Sequence, residues 1–126
     1  MAQTYIVNDI VMYKNRIHTI IDTLRLNNYE LSYVRHSVNQ AELSGVPLTP
    51  EILEKNGWYG ATHSKQSDDN TKILYKTFKR KGYPTIKVSQ DLKITCELSP
   101  FIVKLESVPD LQHLLFGLGL NSEMEV

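Results

Sequence analysis

Four histidines, one cysteine and a cluster of basic and aromatic residues are what this sequence offers for chemistry. His18, His36, His63 and His113 are scattered, with none of the short spacings that present metal ligands from one helix or hairpin. Cys96 alternates with apolar neighbours Leu92, Ile94 and Leu98, the pattern of a core thiol on a strand and not of an exposed nucleophile. A single cysteine also excludes an internal disulfide and fits a reducing compartment. Adjacent carboxylates occur at Asp68-Asp69, within a polar stretch where solvation explains them. Gly117-Leu118-Gly119 closes a helix, and no nucleophile elbow, phosphate loop or dinucleotide fingerprint is present. The residues therefore predict no catalytic group, no cofactor and no metal.

Charge is distributed more tellingly. The whole chain balances 14 basic against 14 acidic residues, which argues against a partner recognised by overall charge. Yet residues 71–93 hold Lys72, Lys76, Lys79, Arg80, Lys81, Lys87 and Lys93 against Asp91 alone, with Tyr75, Phe78 and Tyr83 interleaved. Basic groups beside aromatic ones suit a phosphate backbone and stacked bases. The candidate surface is Lys76, Phe78, Lys79, Arg80, Lys81, Tyr83 and Lys87, centred on a Lys79-Arg80-Lys81 hairpin. Two other readings stand beside nucleic acid. The lysines could simply line the solvent side of two strands and protect edges from pairing. They could also meet an acidic protein partner, including the acidic 97–126 segment of a second copy.

These side chains must be positioned by regular elements. Thr49 is an N-cap, Pro50 suits the first helical position, and Glu51 meets the positive end of the helix dipole. Leu48 and Leu53 are spaced as a hydrophobic staple, and Asn56-Gly57 is a stop, so residues 50–56 form a short helix burying Ile52, Leu53 and Trp58. Before it, strands are expected at Tyr5 to Tyr13, Arg16 to Leu26 and Tyr29 to Arg35. A short one follows at Gln40 to Leu43, with turns at Lys14-Asn15 and Asn27-Asn28. After it, residues 59–70 read as an exposed polar loop. Strands are expected at Thr71 to Arg80, Tyr83 to Ser89, Leu92 to Leu98 and Phe101 to Leu105, with a break at Ser99-Pro100. Ser107 and Asp110 are spaced as a capping box for a second helix to Leu118, buried through Val108, Leu111, Leu114, Leu115 and Leu118. Met124 and Val126 are read as a short final strand.

The order Ile10-Val11-Met12-Tyr13, Ile17-His18-Thr19-Ile20, Tyr29-Glu30-Leu31, Val38 and Glu42-Leu43 resembles a small SH3-like barrel of the KOW and Tudor kind. A second resemblance spans most of the chain. The segment Val46-Pro47-Leu48-Thr49-Pro50-Glu51-Ile52-Leu53-Glu54-Lys55-Asn56-Gly57-Trp58 and the later Val108-Pro109-Asp110-Leu111-Gln112-His113-Leu114 are together similar to a family of small uncharacterised proteins. That family occurs in phages and mobile elements of gut anaerobes and in their hosts. It carries no established activity; it implies a bacterial or phage protein, with a virion or anti-defence role among the options. Relatives place His-Glu where Pro109-Asp110 stands here, so the two-histidine zinc helix their pattern superficially suggests is absent: only His113 remains.

The reading is thus an α+β domain with two lobes. Residues 1–48 form a small antiparallel SH3-like meander or barrel; residues 49–126 hold the short helix, a second antiparallel strand set and the C-terminal helix. The two helices are expected to share a core, with Leu53 and Trp58 near Leu111 or Leu115. No apolar run is long enough to span a membrane and no signal sequence is recognisable. A cytoplasmic bacterial or virion protein is expected. Its predicted function is non-enzymatic: a protein-interaction or self-association module, or alternatively a nucleic-acid-binding protein using residues 72–93.

Overall fold

The computed structural model describes residues 4–66, 72–98 and 100–126. Asp68, Asp69 and the Ser99 part of the expected strand break lie outside the described residues. The architecture is α+β, with two five-stranded antiparallel sheets and two helices. It divides into two compact units: residues 1–47 with 107–124, and residues 48–106 with 125–126.

The first unit begins with β1 (Ile10–Tyr13) and β2 (Arg16–Thr23), joined at Lys14 and Asn15. Both turn residues have positive φ (48° and 63°), as a two-residue hairpin matched to strand twist requires. The next turn falls one residue earlier than the Asn27-Asn28 pair suggests. Leu26 and Asn27 take the left-handed conformation within a 3-10 turn (Arg25–Asn27), and Asn28 already opens β3 (Asn28–Leu31). The expected strand at Gln40 to Leu43 is instead a 3-10 turn (Gln40–Glu42). Asn39 accepts from the Ala41 N–H at 3.0 Å, while Glu42 accepts from the Asn39 N–H at 3.4 Å. This local capping box outcompetes ladder pairing. The strands are displaced to either side, as β4 (Val38–Asn39) and β5 (Ser44–Gly45). β5 returns to pair with β1, giving the order β4-β3-β2-β1-β5. The result is the SH3-like half-barrel that the strand order resembles.

Its core comprises Tyr5, Val11, Tyr13, Ile20, Tyr29, Leu31 and Val38, with Val34 and Leu43 packed against it. The C-terminal helix, α2 (Val108–Gly117), belongs to this unit and not to the second one. The chain re-enters through a bridge between Pro47 and Ser107 and a 2.7 Å bond from the Val108 N–H to the Val46 carbonyl. Gly45 is required at this crossing, because a Cβ there would sit 2.8 Å from that of Ser107. Ser107 and Asp110 form the capping box that the sequence predicts.

Gln112 fixes α2 within the unit. Its Oε1 accepts from the Ile10 N–H at 3.0 Å, and its Nε2 donates to the carbonyls of Asn8 (2.8 Å) and Ser122 (3.1 Å). Nearby, buried Asp9 accepts from the Ile6 N–H at 2.9 Å and from His113 Nε2 at 2.5 Å. Burial holds the Asp9 carboxyl above its ordinary value, despite the opposing pull of the Ile6 N–H and His113, with Asp110 adding a smaller upward push. Such a group binds its proton more tightly folded than unfolded. Its stabilising contribution is complete below the ordinary carboxylate value and is lost as pH rises through the raised one. Asp9→Asn keeps an acceptor for Ile6 without the charge. The expected result is that this variant gains stability relative to wild type as pH rises from about 3.5 to 5.5, a window set by the ordinary carboxylate near 4. Urea midpoints at the two pH values check it; a difference independent of pH would contradict it.

The second unit opens with α1 (Pro50–Lys55), capped as its sequence demands. Thr49 Oγ1 accepts from the Ile52 N–H at 3.3 Å, Gly57 turns at φ 94°, and the Trp58 N–H returns to the Leu53 carbonyl at 3.1 Å. Leu53 and Trp58 are buried, Ile52 only partly. Leu53 and Trp58 fall in the second unit, Leu111 and Leu115 in the first. The C-terminal residues are not a strand. Glu125 is held by the Asn56 side chain, which donates to its carbonyl (2.7 Å) and accepts from its N–H (2.8 Å).

β6 (Tyr59–Gln66), β7 (Lys72–Lys79), β8 (Ile86–Ser89), β9 (Ile94–Leu98) and β10 (Phe101–Lys104) form a meander in sequential order. β6 occupies most of the stretch expected to be a loop. It pairs with β7 in continuous register from Tyr59↔Lys79 to Gln66↔Lys72. Its polarity reflects an edge position with little to bury. At Gly60 the Phe78 ring lies so close that a Cβ would come within 2.7 Å of it.

Candidate functional site

Cross-strand partners project to the same face of a sheet, so the register sorts the second sheet's residues into two sets. Phe78↔Ile86, Ile86↔Cys96, Val88↔Ile94 and Val103↔Cys96 define the inner face, and Phe78, Ile86 and Cys96 are fully buried there. The outer face carries the row Ala61, Thr77, Lys87, Thr95 and Lys104, one residue from each strand. Tyr59↔Lys79 and His63↔Tyr75 extend it at the β6–β7 side.

This outer face is basic and aromatic. Tyr59 is 79% exposed. His63 stacks on Tyr75, with ring centres 5.2 Å apart and planes 22° from parallel, and its Nε2 lies 2.8 Å from Thr77 Oγ1. Lys87 Nζ sits 4.6 Å over the Tyr75 ring. Lys79, Lys87 and Lys104 are exposed, while Glu97 is the acidic residue among the outward positions of β9.

The seven residues singled out from sequence do not form one surface. Lys79 and Lys87 reach the outer face, and Lys81 is exposed in the following turn. Lys76 pairs with Val88, on the side opposite Lys79, and lines a recess with Pro50, Thr62 and Leu74. Phe78 is buried core and offers no ring to a ligand, because its place in the alternation puts it inside. Arg80 and Tyr83 are half-buried and occupied. The Arg80 guanidinium lies 4.0 Å from the Tyr83 ring centre and 5.0 Å from that of Trp58, and Tyr83 packs edge-on to Trp58 at 5.4 Å. Lys79-Arg80-Lys81 is thus not a single basic tip. Its middle residue closes over the Trp58 core. Tyr59, His63 and Lys104 were not singled out for this surface. Only the strand register, with β6 recognised as a strand, could have found them.

The remaining chemical candidates are dispersed. His113 pairs with Asp9, whereas His18 and His36 both pack edge-on against Tyr13, at 5.9 and 6.4 Å. Cys96 is buried, and that burial pushes its thiol up, away from the reactive thiolate. Among the described residues, no group of three or more His, Cys, Asp or Glu side chains could hold a metal ion. No helix among them is long and apolar enough to cross a membrane. No family model matches the chain, and neither curated proteins nor solved structures include a detectable match.

Proposed function

We propose that the protein acts by binding and not by catalysis, and that the outer face of its second sheet binds single-stranded nucleic acid. One observation carries this reading: Tyr59, the His63–Tyr75 stack, Lys79, Lys87 and Lys104 share one solvent-facing side of a five-stranded antiparallel sheet. Splayed bases need exposed π-faces, and a strand's phosphates need spaced cations; a flat sheet supplies both at strand spacing. We take the setting to be a bacterial cytoplasm or a virion, on the strength of the sequence resemblance alone.

Fluorescence anisotropy with a labelled single-stranded oligonucleotide tests the proposal. Lys79→Gln, Lys87→Gln and Lys104→Gln together are expected to flatten the plot of log affinity against log salt by about 2, at about 0.7 for each lost phosphate contact on a single strand. Tyr59→Ala is expected to cost about 1–3 kcal/mol in binding without changing that slope. No binding at low salt, or a triple variant with unchanged slope, would overturn the reading.

A second reading, contact with another protein or a second copy, draws on β10. Among the described strands β10 pairs only with β9, and Phe101 and Ile102 on it are 71% and 70% exposed. An edge strand with exposed apolar side chains suits strand addition. Sedimentation of wild type and Ile102→Lys distinguishes it: concentration-dependent association lost in the variant supports it, and a monomer at all concentrations excludes self-association.

A further inference from the structure

The first unit contains a recess, separate from the sheet face above, lined by three cations and two histidines. It lies beside the β1–β2 hairpin as an open recess of about 350 Å³, within the range of small-ligand clefts. Lys14 and Arg16 come from the hairpin, His18 from β2, and Arg35 and His36 from the segment after β3. Tyr13, Tyr33 and Val34 complete the lining, and no carboxylate contributes to it. In a chain with equal numbers of acidic and basic residues, three Lys and Arg side chains and two histidines around one recess are segregation and not excess. Among the described residues, none of the five lies within ion-pair distance of an acidic group. Their field is therefore uncompensated, the condition under which an anion is attracted and held.

The aromatic members add a second feature. Tyr13 is buried and forms a floor: His18 and His36 pack edge-on to its ring, its hydroxyl is 3.3 Å from His36 Nε2, and Lys14 Nζ is 5.3 Å from its ring centre. His18 is oriented, because its Nδ1 must donate to the Ser32 carbonyl at 2.8 Å, which leaves Nε2 as the free nitrogen. Tyr33 is the opposite of the floor. It is fully exposed and held at φ 62°, a conformation bulky side chains rarely adopt, with no packing of its ring to offset the strain. A planar ring standing free beside five cationic or cationisable groups is a stacking surface next to a phosphate site.

We propose that this recess binds a mononucleotide, with the phosphate among Arg16, Arg35 and Lys14 and the base stacked on Tyr33. Arg is suited to the phosphate because its planar fork bonds two oxygens at once. The site is independent of the nucleic-acid reading, since the two surfaces lie in different units.

Calorimetric titration of the full chain with AMP, UMP, adenosine and inorganic phosphate, at low ionic strength, tests this. Both nucleotides are expected to bind at least tenfold more tightly than either adenosine or phosphate alone. Arg16→Glu with Arg35→Glu is expected to abolish binding, and Tyr33→Ala to reduce it at least fivefold while leaving phosphate binding unchanged. These side chains are exposed, and a wild-type circular dichroism spectrum and melting midpoint confirm the fold of each variant. The Lys79, Lys87 and Lys104 variant is expected to bind nucleotide as wild type does, so failure of one site does not mimic failure of the other. Equal affinity for phosphate and nucleotide would overturn the stacking role. Absence of nucleotide binding, or binding indifferent to Arg16 and Arg35, would overturn the site.

Discussion

Gln112→Ala is expected to destabilise the first unit by about 2–4 kcal/mol, because it leaves the buried Ile10 N–H and the part-buried Asn8 and Ser122 carbonyls without their partner, at about 1–3 kcal/mol for a buried group and less for the other two. The side chain is 1% exposed and bonds Ile10, Asn8 and Ser122, residues at the entry to β1 and in the C-terminal segment. The Asp9–His113 pair beside it spans the same distance in sequence, 104 residues separating Gln112 from Asn8 and His113 from Asp9. Gln112→Leu separates the two sources of loss. It restores most of the volume but neither the donor nor the acceptor, so it should be nearly as unstable as the alanine variant. Urea unfolding gives both numbers. A leucine variant close to wild type would mean that packing, and not hydrogen bonding, holds the helix.

Trp58→Ala is expected to cost the second unit a similar amount, about 3–5 kcal/mol, the range for truncating a buried large aromatic. Trp58 is 1% exposed and anchors three neighbours: Tyr83 edge-on, Arg80 over its ring, and the Pro84 carbonyl, which accepts from Nε1–H at 3.4 Å. Trp58→Phe retains an aromatic body and loses the hydrogen bond, at about 1 kcal/mol. The same geometry gives Arg80 a structural role. Its removal should lower stability by about 0.5–2 kcal/mol through lost cation–π contact. Nucleic-acid affinity should respond much less to Arg80 than to Lys79, its neighbour on the outer face. Thermal unfolding and anisotropy on the same two variants check the contrast.

The parts of the fold that were legible in the sequence are those with local causes. Lys14-Asn15 sets the first hairpin, Thr49-Pro50 and Asn56-Gly57 bound the first helix, and Ser107 with Asp110 starts the second. The α+β class followed from these and from the alternation at Ile94 and Cys96. What was hidden has non-local causes. β6 lacks hydrophobic alternation because an edge strand buries little, so Thr62 and His63 resemble a loop until β7 is laid beside them. The membership of α2 in the first unit rests on contacts such as the Val46–Val108 bond, across 62 residues, and the Gln112–Ile10 bond, across 102, which no local pattern encodes. At the candidate surface, basic and aromatic composition drew attention to residues 71–93. Composition cannot say which of Lys76 and Lys79 shares a face with Lys87. Nor can it say that Phe78 points inward and Arg80 lies over Trp58; pairing register and packing decide both.

Backbone amide chemical-shift mapping with a short single-stranded oligonucleotide addresses the central claim most directly. The account predicts perturbations that follow strand alternation across the outer row, strongest at Ala61, Thr77, Lys87, Thr95 and Lys104 and near Tyr59, and weaker at inward Ile86 and Cys96. Perturbations confined to the Phe101–Ile102 edge, spread without alternation, or absent at low salt would contradict it.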